Sequence, residues 1–110
     1  RYIKREVDMP INSAVSSDKK RVMINITDRF DYGLHQSFRN SYQTVDDVGV
    51  IYSLNLSQAT YMDSSALGMV LLLKEHAEKK GGSVISCKPH PAVSKLLKIA
   101  NFDRFVTIQT

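Results

Sequence analysis

Asp63-Ser64-Ser65 sets a carboxylate and two hydroxyls in consecutive positions, directly ahead of the apolar run Ala66 to Leu73. An aspartate there can cap a helix by accepting from the N–H groups of its first turn, and either serine can share that task. Capping is the commoner use of such residues. The same place has a second use, because unpaired N–H groups and the positive end of the helix dipole support an anion. A phosphoryl group on Ser64 would add about 1.5 to 2 negative charges beside Asp63 while the helix that carries it survives. A plain cap and a phosphate switch are the two readings these residues allow.

Other chemistry finds little to build on. A serine hydrolase would need a Gly-x-Ser-x-Gly elbow and a histidine base, and neither accompanies Ser64. His35, His76, His90 and Cys87 lack the spacing of metal ligands. No Gly-x-x-x-x-Gly-Lys loop is present to cradle ATP. The expectation is a non-enzyme with no catalytic residue, metal or cofactor of its own.

Composition narrows the class further. A chain of 110 residues, 43% hydrophobic and 24% charged, has the size and balance of one globular domain. The formal charge of +4 comes from 15 basic and 11 acidic side chains, scattered apart from Lys19-Lys20-Arg21. A nucleic-acid binder would gather such charge into a stripe or a recognition motif, so that class is not expected. The single Cys87 cannot form an internal disulfide and no secretory signal is evident, which makes a cytoplasmic location the expectation. Ala66 to Leu73 is too short to cross a bilayer, so no membrane insertion is expected.

The elements that must hold the serines follow from periodicity. Residues 1–10 show no clear period and read as an N-terminal extension, flexible or foreign to the native chain, with Met9 a candidate native start. Residues 11–110 then read as the domain. Ile11 to Val15 and Arg21 to Thr27 form a hairpin across the turn residues Ser16 to Lys20, with Val22, Ile24 and Ile26 on one face. After the connection Asp28 to Gly33, Leu34, Phe38 and Tyr42 recur every fourth residue and predict a helix. Asp46-Asp47 breaks the chain before Val48 to Leu56, the expected central strand, and Ser57 to Thr60 reads as a short loop.

Ala66 to Lys80 is the second helix, with Leu67, Val70, Leu71 and Leu73 on its buried side, and Gly81-Gly82 stops it. A strand over Ser83 to Cys87, the punctuation Pro89-His90-Pro91, a helix carrying Val93, Leu96, Leu97 and Ala100, and a strand from Phe105 to Ile108 complete the chain. The sum is an α/β domain with a mixed sheet.

Met62-Asp63-Ser64-Ser65-Ala66-Leu67-Gly68 resembles the Asp-Ser-Ser/Thr-Gly/Ala-Leu-Gly signature of bacterial anti-sigma factor antagonists, single-domain members of the STAS family. The resemblance runs from about Ile11 to Ile108. Asp28-Arg29-Phe30-Asp31 is similar to that family's Gly-Glu-Leu-Asp or Gly-Arg-Phe-Asp stretch, Val50 to Leu56 to its apolar strand, and Gly81-Gly82 and Pro91-Ala92-Val93 to its later segments. It departs at Asp28, where glycine is usual, and at Ala66, the less usual neighbour of the serines.

What the resemblance implies is a mixed β-sheet with helices packed mainly on one face, and regulated binding as the activity. Unphosphorylated, such a domain binds an anti-sigma factor that is often also a serine kinase, and so frees a sigma factor for transcription. The kinase phosphorylates the family's serine and a PP2C-type phosphatase reverses it. By this similarity Ser64 is the phosphoacceptor, with Ser65 the weaker alternative. Asp31, Tyr32, Met62, Asp63, Ser64, Ser65 and Met69 are the implied partner-binding residues. Leu67 suits either the core or that surface. The alternative role is a STAS interaction subunit of another assembly: a biofilm or motility regulator, a stress-complex scaffold or a lipid transporter component.

Overall fold

A computed structural model of the chain describes residues 2–8, 11–43, 45, 47–87, 89–104 and 106–109. Six strands, β1 (Tyr2–Asp8), β2 (Ile11–Ser16), β3 (Arg21–Phe30), β4 (Ile51–Met62), β5 (Ser83–Cys87) and β6 (Thr107–Gln109), lie in the sheet in chain order. β1, β2 and β3 pair antiparallel, whereas β3 to β6 are mutually parallel. Each parallel step is bridged by one helix: α1 (His35–Asn40), α2 (Ser64–Glu78) and α3 (Pro91–Ile99). Right-handed crossovers that always advance toward the same edge must put every helix on the same face. The fold is therefore a mixed sheet backed by one helical layer.

The alternation of β3 selects that face. Val22, Ile24 and Ile26 are buried, and their register partners Tyr52 and Leu54 extend the apolar row across β4. Phe38 of α1, Val70 and Leu73 of α2, and Val93 and Leu97 of α3 close over it. Phe30, Phe38 and Tyr42 pack in series, the first pair tilted and the second edge-on, 5.2 and 5.7 Å between ring centres, and join α1 to the end of β3. On the opposite face Asn12, Asn25 and Asn55 form a ladder across three strands, with amide bonds of 3.1 and 2.9 Å.

The structure departs from periodicity in several places. Ser57 to Thr60 is not a loop: β4 continues through it to Met62, paired with β3 across two register shifts, and Ala59 is fully buried. Small and polar residues suggested a turn, but parallel pairing with Thr27 and Asp28 keeps them extended. At its other end β4 begins at Ile51, after a turn in which Val48 is exposed and Gly49 adopts φ +72°. Tyr2–Asp8, which shows no sequence period, pairs with β2.

Helix α2 starts two residues earlier than the apolar pattern indicates, and Leu71, expected on its buried side, is 38% exposed. α1 is shortened to His35–Asn40, with Leu34 in the preceding 3-10 turn Tyr32–Leu34, although Phe38 and Tyr42 still face inward. Met9, Asp46 and Phe105, named in the sequence reading, lie outside the described residues.

Candidate functional site

β4 delivers the serines. Its last residue, Met62, is followed by Asp63 in extended conformation (φ −123°, ψ −179°), and helix α2 starts at Ser64. One carboxylate oxygen of Asp63, Oδ1, accepts both the Ala66 N–H at 3.1 Å and the Ser65 hydroxyl at 2.6 Å. The Ser65 hydroxyl foremost, then the Ala66 N–H, hold the Asp63 carboxyl below the usual carboxylate range against the opposing pull of partial burial. Ser65 is thus committed to the cap and half-buried, while Ser64, on the first residue of the helix, is exposed.

A second cap stands beside the first. β3 and β4 end in register, Phe30 opposite Met62, so Asp31 and Asp63 leave the sheet at the same end of adjacent parallel strands. Asp31 Oδ1 accepts the Gly33 N–H at 3.0 Å and caps the turn Tyr32–Leu34. Tyr32 is 62% exposed, its ring stacked on His35 at 4.3 Å and 9°. The carbonyl of Tyr32 can only accept, so His35 Nδ1, 3.0 Å away, carries the proton of that bond. The two carboxylates and the exposed aromatic plate share the carboxyl end of the parallel strands, where open α/β sheets place their sites.

Of the sequence-derived site residues, Asp31, Tyr32, Asp63, Ser64 and Ser65 come together here. Met62 and Met69 do not reach the surface. Each is only 7% exposed, Met62 turned into the core at the end of β4 and Met69 on the inward side of α2, and the expectation that they contact a partner is corrected accordingly. Leu67 is half-buried and packs against the core.

Two residues not anticipated join the site. Arg29 Nε lies 3.3 Å from Asp31 Oδ2, and its guanidinium carbon sits 4.0 Å from the ring centre of Tyr61, its register partner. Arg29, next to last in β3, stands two residues before the Asp31 cap, and the two charges of opposite sign at that spacing were the one signal the sequence offered. The stacking on Tyr61 was not legible, because it depends on the register shift between Asp28 and Arg29. Among the described residues no group of His, Cys, Asp and Glu could hold a metal ion, and no helix is long and apolar enough to cross a membrane.

Comparisons with known proteins agree with this architecture. The family model described as "Mlab, STAS domain" matches residues 13–108. A STAS-domain-containing protein of Pseudomonas aeruginosa (strain UCBPP-PA14) is 41% identical over 100 residues, covering 91% of this chain and 99% of the relative. Among solved structures, a candidate anti-sigma factor antagonist of Thermotoga maritima superposes with TM-score 0.74 at 18% identity, over 93% of this chain and 87% of that one. The anti-sigma factor antagonist SpoIIAA in its unphosphorylated form gives 0.62 at 18% identity, over 100% and 87%. A sulfate transporter family protein of Wolinella succinogenes gives 0.71 at 13% identity, over 86% and 84%. At such identities the solved structures share the fold.

Proposed function

We propose, from the premise that this chain belongs to the STAS-domain family, that it is an anti-sigma factor antagonist working by partner switching. Unphosphorylated, it binds an anti-sigma factor that is also a serine kinase, which frees a sigma factor in the cytoplasm. Phosphorylation of Ser64 releases the partner, and a PP2C-type phosphatase resets the chain. Its role is binding, with the chemistry done on it by others. The Ser64 oxygen bonds to the γ-phosphorus of ATP held by the kinase, the bond to ADP breaks, and the hydroxyl proton passes to a base of the kinase. The phosphatase returns the serine with water and releases inorganic phosphate.

The observation that carries this reading is the division of labour between the two serines: Ser65 is tied to Asp63 at 2.6 Å, and Ser64 stands exposed beside it. Around it, Asp31, Tyr32, Asp63 and Ser65 supply the contact surface. A new dianion there disfavours any partner that brings acidic or apolar groups to the same edge. A loss of about 1.4 kcal/mol already weakens binding tenfold.

Incubation with the cognate kinase and ATP, followed by peptide mapping, is expected to place phosphate on Ser64. Label persisting in Ser64→Ala would overturn the assignment. In parallel, Ser64→Ala should keep its partner, while Ser64→Glu should bind at least several-fold more weakly. The sulfate transporter neighbour supports a second reading, in which the same fold serves as an interaction subunit of another assembly and Ser64 is never phosphorylated. Kinase and phosphatase genes beside this one favour switching; transporter genes favour assembly.

A further inference from the structure

Reading Ser64 as the phosphate carrier raises the question of what balances the new charge, since the two carboxylates that flank the site, Asp31 and Asp63, both oppose it. Arg29 is the cation that strand register brings to this end of β3 and β4. It is the register partner of Tyr61, so the two backbones run about 4.8 Å apart, and Ser64 follows Tyr61 by three residues, at most about 11 Å further on. Its side chain already leans toward the strand end where α2 begins, since Nε meets Asp31 two residues ahead. That bond uses Nε alone, leaving Nη1 and Nη2 without a hydrogen-bond partner among the described residues. With 59% of the Arg29 side chain exposed, the pair is screened by water and readily exchanged.

We propose that Arg29 is the internal receiver of the Ser64 phosphate: on phosphorylation its guanidinium leaves Asp31 and Tyr61 and pairs through Nη1 and Nη2 with two phosphate oxygens. A planar fork facing a dianion makes two charge-assisted bonds where the present carboxylate takes one. The exchange has consequences away from Ser64. Asp31 loses its cation and keeps the Gly33 N–H, and the ring face of Tyr61 is uncovered. Phosphorylation then rewrites the docking surface on β3 and β4 together, beyond local repulsion at the helix tip.

The test needs neither kinase nor partner. Phosphoserine is installed at position 64 of the full chain by genetic-code expansion, and its second ionisation, ordinarily near pH 6, is followed by phosphorus NMR. With Arg29 present it should fall about 0.5 pH unit or more below that of Arg29→Gln, with Arg29→Lys intermediate. Arg21→Gln, about 26 Å back along β3, should match the parent. Tyr61 ring resonances should shift on phosphorylation in the parent and stay put in Arg29→Gln. Equal ionisation in the parent and Arg29→Gln overturns the proposal. Because the titration is internal to the chain, its outcome is separate from the kinase mapping that decides the switch.

Discussion

Asp63 does two jobs with one oxygen, and that sets the difference between two adjacent serines of identical chemistry. By accepting from Ser65 and Ala66 it terminates β4, starts α2 and withdraws one hydroxyl from the surface. The cap has a pH signature. A carboxyl whose folded pKa is depressed stabilises the fold above its unfolded value and loses that contribution as pH falls through the folded value. Asp63→Ala is expected to cost about 1 kcal/mol near neutrality, with the gap to the parent closing as pH drops below about 4. Urea melts of both proteins across that range check it, and a gap that widens in acid would contradict the assignment.

Asp28 holds a backbone conformation that suits glycine better. The resemblance placed a glycine there, and the structure supplies the reason: Asp28 adopts φ +69° beside the second register shift of β3 and β4, where a side chain meets its own carbonyl. Asp28→Gly should therefore stabilise by up to about 1 kcal/mol, less the backbone entropy that glycine surrenders. The midpoint of thermal unfolding reads it directly, and a clear loss of stability would refute it.

At the scale of elements, the site depends on how far β4 runs. Were the strand to stop before Ser57, Tyr61 would have no fixed neighbour, and Arg29 would have no ring to lie on. Pairing with β3 carries β4 on through two bulges, the first of them held by Asn55, whose side-chain oxygen accepts the Ser57 N–H at 3.0 Å. The far end of α2 is set as firmly. Gly82 donates to the Ala77 carbonyl at 2.9 Å and lies so near the Val50 carbonyl that a Cβ would collide with backbone. Gly82→Ala is expected to cost roughly 2 kcal/mol or more, seen as a lower unfolding midpoint. A neutral result would mean the α2–β5 junction can shift.

Across the whole molecule, the switch adds charge at one rim and leaves the packed layer alone. Val70, Leu73, Val93 and Leu97 hold the helices on the sheet from within the buried core, whereas Ser64 is exposed. Phosphoserine at position 64 should accordingly leave the overall dimensions near the present Cα radius of gyration of 12.7 Å, with amide shifts confined to the ends of β3 and β4 and the first turn of α2. Scattering and backbone NMR test this; shifts spread through α3 and β6 would demand a conformational switch.

The alternation of β3, the inward facing of Phe38 and Tyr42, and the Asp-Ser-Ser start of α2 were decided by the chain itself, because each follows from residue types and spacings within a few positions. What needed the tertiary structure was whatever depends on strand register. That includes the continuation of β4 through Ser57 to Thr60, the inward turn of Met62 and the stacking of Arg29 on Tyr61. A slip of one residue turns every side chain to the other face, and local sequence carries no record of which neighbour a strand will meet. The two serines divide along the same line: composition placed both at a helix tip, and only the folded geometry committed one to the cap and left the other in solvent.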